Sequence, residues 1–208
     1  MTYPEIIREI GKRANDPELT KSRAIAGNLF VESLINVMLN EDTDIGQIGD
    51  YYQAIPFILS KDSWVNYTQT YELPNNTLKI LDVSISSNDY AHHVSSPISI
   101  KRVSRLDVER MFLEDSFSPS GTEMFYYYKR LSSSSKQGLE FIISNEYYIS
   151  GMLDNVPINV EVYISPKISD FTSTNNDLLD EYNLGTKIIY DSIALASSAI
   201  MSLTEGSK

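Results

Sequence analysis

The hydrophobic pattern of the chain changes its period twice, and this change is the strongest constraint on its fold. In residues 1–40 apolar residues recur with helical spacing, as in Ile6, Ile7 and Ile10. Between residues 64 and 164 several segments alternate apolar and polar residues, the period of a strand with one solvent-facing side. Helical spacing returns in residues 187–203. This order predicts an α+β fold with an antiparallel sheet, and it argues against the alternating pattern of a nucleotide-binding sheet.

Two helices are predicted before residue 40. Pro4 suits the first turn of a short amphipathic helix, and Asp16 followed by Pro17 has the pattern of an N-cap and first residue of a second helix that runs to Leu39. The second helix and the closing helix are apolar around much of their circumference, so each needs more than one packing partner. The core of a helical bundle and a contact with a neighbouring subunit both satisfy that need.

The middle of the chain predicts a set of short strands. Pro74 begins a turn that predicts a hairpin between the first two strands. Residues 44–54 and 106–113 have helical patterns, the second with Asp107 as a cap. The predicted strands are residues 64–73, 78–85, 98–103, 124–131, 139–143 and 158–164.

We predict three regions from this layout. Residues 1–62 form an N-terminal helical region, and residues 63–166 form a β-rich domain. Residues 167–208 form a C-terminal loop and helix that packs back on the N-terminal helices and completes one helical module.

The charge and composition of the chain exclude several functions. The chain has 28 acidic and 17 basic residues among 208, a net charge of −11, so binding to a phosphate backbone has no global electrostatic support. It has no cysteine, which removes disulfides and thiolate metal sites. The first residues do not resemble a secretory signal, and no segment has the roughly 20 apolar residues that cross a bilayer. We therefore expect the protein to stay in the cytoplasm where it is made, or to join an assembly there.

The sequence has few residues suited to catalysis. His92 and His93 are the only histidines, and neighbouring side chains diverge on regular structure, so a solvated loop explains them better than a metal site. The acidic residues from Glu41 to Asp50 do not have the spacing of a calcium loop. We expect no catalytic residue, no metal and no cofactor; an enzyme that uses either histidine is the least favoured alternative.

Tyrosine is abundant, with 14 residues, and it is densest at residues 125–128. On a strand, Tyr126 and Tyr128 point to one face while Phe125 and Tyr127 point to the other. Packing within the sheet and contact with a ligand both suit these rings. One alternative function is therefore a monomeric or small-oligomer β-sheet module that recognises a glycan or a protein through Tyr126 and Tyr128.

The order of segments resembles a known family. The matching segments are ELPNNTLKILDVSI, PISIKRVSRLDVERMF, SGTEMFYYYKR, GLEFIIS, INVEVYISP and IIYDSIALASSAIM. Their layout is similar to that of the head-to-tail adaptor (connector or ring) proteins of short-tailed bacteriophages. In that family a helical region precedes a β-rich insertion, a strand ending in proline and a C-terminal helix. Leu73 and Pro74, residues 78–83, residues 163–166 and residues 188–201 follow this order.

The resemblance implies a structural protein of the virion. It implies a homo-oligomeric ring, usually twelvefold, that assembles in the host bacterial cytoplasm and docks beneath the portal protein at the head-to-tail junction. The ring would bind tail or further ring proteins around a channel that DNA traverses without specific binding, and it would not bind a membrane. Only five residues follow Leu203, so we do not expect docking through a long C-terminal arm.

The apolar helix stripes supply candidate residues for contact with another subunit or the portal. Each of them could instead belong to the core of the helical module. They are Phe30 and Leu34 on the second helix, and Ile189, Ile193, Ala196 and Ile200 on the closing helix.

Overall fold

The computed structural model describes residues 1–18, 20, 22–59, 68–85, 99–113, 123–130, 137–143, 156–172 and 176–205. His92 and His93 lie outside these residues, so the prediction about them remains a prediction. The chain divides into two compact units. A helical unit comprises Met1–Gln53 and Tyr163–Lys208, and a β unit comprises Ala54–Val162.

The described residues form helices at both ends of the chain and strands between them. The helices are α1 (Tyr3–Arg13), α2 (Ala26–Leu39), α3 (Arg105–Leu113), α4 (Ile168–Thr172), α5 (Leu178–Glu181) and α6 (Thr186–Glu205). The strands are β1 (Tyr52–Leu59), β2 (Thr68–Glu72), β3 (Thr77–Ile85), β4 (Ser99–Arg102), β5 (Glu123–Arg130), β6 (Gln137–Ile143) and β7 (Val156–Ile164). The predicted α+β class is confirmed.

The helical unit is built around α6. Helices α1 and α2 both pack against it, so the prediction that the C-terminal helix returns to the N-terminal helices is confirmed. In α1, Pro4 occupies the first turn as predicted, and the Glu5 carboxylate accepts a hydrogen bond of 2.8 Å from the Thr2 backbone N–H. Ile6 and Ile10, four residues apart on one face, are fully buried.

The predicted start of the second helix is wrong. Helix α2 begins at Ala26, and the Asp16 carboxylate instead holds the turns that precede it. That carboxylate accepts hydrogen bonds from the backbone N–H and hydroxyl groups of Thr20 and Ser22, all between 2.8 and 2.9 Å. An aspartate side chain that bonds nearby backbone N–H groups in this way competes with helix formation.

The predicted helix over residues 44–54 is also wrong. Ile45–Gln47 and Gly49–Tyr51 form two single 3₁₀ turns, and the chain then enters β1 and continues through Pro56. The three-stranded sheet has the order β1-β7-β3, which puts β1 at its edge. A proline is tolerated on an edge strand because its missing N–H faces away from the ladder.

The strand pairing differs from the predicted hairpin. Strand β2 pairs with β6, while β3 belongs to the other sheet. In the turn between β2 and β3, the Thr77 backbone N–H donates to the Pro74 carbonyl over 3.0 Å, and this turn takes the chain from one sheet to the other. The four-stranded sheet has the order β2-β6-β5-β4. Its β5–β6 and β2–β6 pairs are antiparallel, but β4 and β5 are parallel, with α3 in the connection that a parallel pair requires.

The two sheets of the β unit face each other. The Phe57 ring of β1 stacks on Tyr71 of β2 at a centroid distance of 4.0 Å and lies 5.5 Å from the Phe141 ring of β6. The Ile80 backbone N–H of β3 donates to the Tyr128 hydroxyl of β5 over 3.1 Å. Strand β3 is an edge strand, so this hydroxyl satisfies a backbone donor that the ladder leaves open.

Candidate subunit-contact surface

The helix residues predicted to contact another subunit lie in the interior of the helical unit. None of the six is more than 2% exposed, so their side chains are already covered within one chain. The core alternative accounts for all of them, and we remove them from the candidate contact surface. They are Phe30, Leu34, Ile189, Ile193, Ala196 and Ile200.

The small residues of α6 serve a similar internal purpose. Ser192 and Ser197 are buried, and each hydroxyl donates to the backbone carbonyl four residues earlier over 2.7 Å. The Ser197 hydroxyl also lies 3.4 Å from the Ile10 carbonyl oxygen of α1. Small side chains allow another backbone to come close to α6, and the backbone that does so at Ser197 is that of α1 in the same chain.

The opposite side of α6 remains exposed. Ala194 and Ser198, four residues apart, form its centre. Tyr190 is 43% and Leu195 is 48% exposed on either side of them. The Arg13 guanidinium lies 5.8 Å from the centroid of the Tyr190 ring, the geometry of an exposed cation–π contact. The exposed surface of α6 is thus this side, not the predicted stripe.

The tyrosines predicted as a ligand-binding pair face the second sheet. Tyr126 packs on Phe141 at a centroid distance of 6.1 Å, and the Tyr128 hydroxyl accepts the Ile80 N–H. Burial raises the pKa of both phenols. The predicted alternation is confirmed, because Tyr127 contacts Glu140 on the opposite face of the sheet from Tyr126 and Tyr128. Tyr126 and Tyr128 lie on the face that is turned toward the second sheet.

A polar cluster occupies the outer face of the four-stranded sheet. The buried Glu140 carboxylate accepts from the Lys129 ammonium over 2.7 Å and from the Tyr127 hydroxyl, and the Thr70 hydroxyl lies 3.5 Å away. Burial and the hydrogen bond to Glu140 raise the pKa of Tyr127, so this phenol stays protonated. The Lys129 ammonium balances the charge of Glu140, and the two hydroxyls are also directed at the carboxylate, so the cluster joins β2, β5 and β6.

The interior of the helical unit has its own tyrosine cluster. Phe171 of α4 contacts the rings of Tyr3, Phe30, Tyr51 and Tyr182 at centroid distances between 5.4 and 6.3 Å. Burial, and next the nearby Asp170 carboxylate, raise the pKa of Tyr51, whose hydroxyl donates to Asp170 over 3.2 Å. These contacts make a packed core rather than a cavity for a ligand.

Helix α3 carries an exposed face that we call the α3 patch: Arg105, Leu106 and Arg110. Leu106 is 69% exposed because it lies two residues, slightly more than half a helical turn, from the buried Val108. The Arg105 guanidinium lies 3.4 Å from Glu109, and both side chains are largely exposed.

The helix that carries this patch has a reciprocal cap at its start. The Ser104 hydroxyl donates to the Asp107 carboxylate over 2.6 Å, and the Asp107 backbone N–H donates to that hydroxyl over 3.2 Å. The bond from the Ser104 hydroxyl, and next a bond of 3.3 Å that the Ser104 backbone N–H donates to the same carboxylate, lower the pKa of Asp107. Asp107 therefore stands three residues inside the helix, and Ser104, not Asp107, is the N-cap.

An acidic surface, the acidic ridge, lies beside the start of α6. Two backbone hydrogen bonds join the loop before β1 to the connection between α5 and α6. The Asp50 N–H donates to the Tyr182 carbonyl over 3.0 Å, and the Gly185 N–H donates to the Gln47 carbonyl over 2.7 Å. Both segments carry exposed carboxylates, and Ile45, next to Asp44 in the sequence, is 43% exposed. The acidic residues of the ridge are Glu41, Asp42, Asp44, Asp50, Asp180 and Glu181.

The chemistry open to these groups is limited. Within the described ranges, no three histidine, aspartate or glutamate side chains are grouped so that they could hold a metal ion. None of the described helices combines the length and apolar content needed to span a bilayer. Three exposed surfaces stand out in the described residues: the exposed side of α6, the α3 patch and the acidic ridge.

Sequence reasoning missed the last two surfaces as contact candidates. The acidic run was visible as a solvated face, and Leu106 appeared only as part of a helical pattern. Its distance of two residues from Val108 was the signal that it lies off the buried side. No protein-family model matches the chain, and no curated protein matches it either.

Proposed function

We propose that this protein is a non-enzymatic structural component of a bacteriophage virion, a head-to-tail adaptor. Copies of the chain form a closed ring beneath the portal protein and connect it to tail components around the DNA channel. The ring forms by heterologous contacts, in which one surface of each copy meets a different surface of the next.

The observation that carries the proposal is the order in which the units are built. Both ends of the chain contribute to the helical unit, through α1 and α2 at one end and α6 at the other, and the β unit of Ala54–Val162 is inserted between them. This is the layout of the adaptor proteins that the sequence resembles.

The charge of the chain supports the same proposal. A net charge of −11 per copy repeats around a ring, which is compatible with a channel wall that repels a DNA duplex rather than holding it. The repulsion is screened over about 8 Å at physiological salt, a distance that matters for a duplex sliding close to the wall. A protein that must let DNA pass benefits from weak, nonspecific repulsion.

The rival function, a β-sheet module that binds through Tyr126 and Tyr128, has less support. Both rings are half-buried, and their contacts are with Phe141, Arg102 and the β3 backbone. A ligand could reach their faces only by displacing these internal contacts. We therefore carry the adaptor proposal forward alone.

The mass of the assembled protein tests the proposal. The purified full-length chain is measured by light scattering alone and after mixing with the portal protein of the same phage. We expect a closed oligomer of many copies, alone or on the portal. A strict monomer that does not bind the portal under either condition would refute the adaptor function.

A further inference from the structure

The α3 patch combines features of a contact surface. Leu106 is the most exposed of the large apolar side chains in the described residues, and Arg110, four residues later, lies on the same side of the helix. Residues 99–113 contain four basic and two acidic residues in a chain that is strongly acidic. Arginine is enriched at protein interfaces relative to the rest of the surface, and an exposed leucine beside arginines adds apolar area that a partner can cover.

The acidic ridge has the complementary features. Residues 41–50 contain four acidic residues and no basic one, and Asp180 and Glu181 add two more carboxylates beside the same loop. Ile45 supplies an exposed apolar side chain among them. Because the ridge belongs to the helical unit and the α3 patch to the β unit, two copies can use them head to tail.

We propose that the α3 patch of one copy docks on the acidic ridge of the next copy. Leu106 and Ile45 approach each other at the centre, and the arginines face the carboxylates around them. The inference rests on the proposed ring and names the surfaces that join its subunits. Opposite charges steer the two surfaces together and fix which surface meets which, and they make the contact weaker at high salt.

Site-directed cross-linking tests the docking directly, because the chain has no cysteine of its own. The full-length variants Leu106→Cys and Ile45→Cys are prepared separately, mixed in the condition that gives the oligomer, and treated with a short bis-maleimide cross-linker. We expect a dimer that joins one L106C copy to one I45C copy, and much less product from either variant alone. The matched control pairs Leu106→Cys with Ile25→Cys, whose site is 37% exposed and belongs to none of the three surfaces.

A charge-reversal series tests the same contact without a cross-linker. We expect Arg105→Glu with Arg110→Glu to weaken oligomer formation by about tenfold or more. Mixing that variant with a chain carrying Asp42→Lys and Asp44→Lys should restore assembly. The control, Arg8→Glu with Lys12→Glu, reverses two exposed charges on α1 and should assemble like the unmodified chain.

The outcomes separate the docking from the ring itself. An oligomer whose L106C and I45C copies cross-link no better than the control pair refutes the docking and leaves the ring standing. A charge reversal on α3 that acts no more strongly than the α1 control does the same. A chain that is a monomer with and without portal refutes both.

Discussion

The two units of this protein are stabilised by different kinds of interior. In the helical unit the interior is apolar and aromatic, with Phe171 fully buried among four other rings. In the β unit a charged residue, Glu140, is only 7% exposed and receives donors from two other strands. The helical interior therefore depends on filled volume, while this part of the β unit depends on complete pairing of polar groups.

This difference bears on how the chain could work in an assembly. Apolar packing between segments far apart in sequence holds the two ends of the chain together in one unit. The polar cluster on the sheet selects one strand register, because a slip by one residue would remove Tyr127 from Glu140 and turn a charge inward.

The largest effect should come from breaking the helical interior. We expect Phe171→Ala to lower the free energy of unfolding by about 3–5 kcal/mol, because it removes a ring that contacts four others and leaves a cavity. Urea unfolding followed by far-UV circular dichroism measures the change, and hydrogen exchange should accelerate in α1, α2 and α6. Tyr190→Ala, on the exposed side of α6, is the control and should change the stability by about 0.5 kcal/mol or less. Equal stability of the two variants would contradict the description of Phe171 as the centre of the core.

A smaller effect should come from the polar cluster of the β unit. We expect Glu140→Gln and Lys129→Met each to destabilise the protein by about 1–2 kcal/mol, since each leaves a partner without its counter-charge. The Lys129 side chain is 41% exposed, so water partly replaces the lost contact and keeps the cost moderate.

Combining the two substitutions measures the pairing itself. In the double variant no counter-charge is missing, so we expect a coupling free energy of about 1 kcal/mol from the four stabilities. Thr70→Val is the control, because its hydroxyl is 3.5 Å from Glu140 and should matter less. Strictly additive single effects would show that pairing does not stabilise this face of the sheet.

The smallest effect should appear at the exposed cap of α3. The Asp107 pKa lies below its ordinary value of 3.8, mainly because the Ser104 hydroxyl donates to the carboxylate. A lowered folded-state pKa means that the cap contributes its full stability above the ordinary pKa. That stability is lost as the pH falls through the lowered value. NMR titration of the Asp107 carboxyl measures this, and Ser104→Ala should raise the pKa toward 3.8. An unchanged pKa in that variant would show that the cap is not formed in solution.

Much of the fold follows from the sequence alone. The alternation of Ile158, Val160, Val162 and Ile164 predicted β7, and all four side chains are buried. The apolar stripe of α6 predicted a helix that returns to the N-terminal helices. These elements follow from the sequence because each is a long segment with a regular hydrophobic period, and local hydrogen bonds do not oppose that period.

Other elements could not be predicted because a longer-range contact decides them. Asp16 has the sequence pattern of a helix cap, but its carboxylate reaches as far as Ser22 and delays the helix to Ala26. The turn after Pro74 has the pattern of a hairpin, yet the pairing of β2 with β6 takes the chain into another sheet. Local propensity does not contain that information.

The candidate contact residues show the same limit more sharply. The apolar stripes on α2 and α6 predicted that each helix packs against more than one partner, and each helix does so. The partners are α1 and the turns of the same chain, as the Ser197 contact with Ile10 illustrates. Periodicity gives the side of a helix that is buried, but it does not say whether the covering surface belongs to the same copy or to another.

Electron microscopy of the purified chain mixed with the portal protein that we propose as its partner tests the central claim most directly. The account predicts a closed ring of identical copies on one face of the portal, with a passage wide enough for a DNA duplex. Single, unassociated molecules beside bare portals would contradict it.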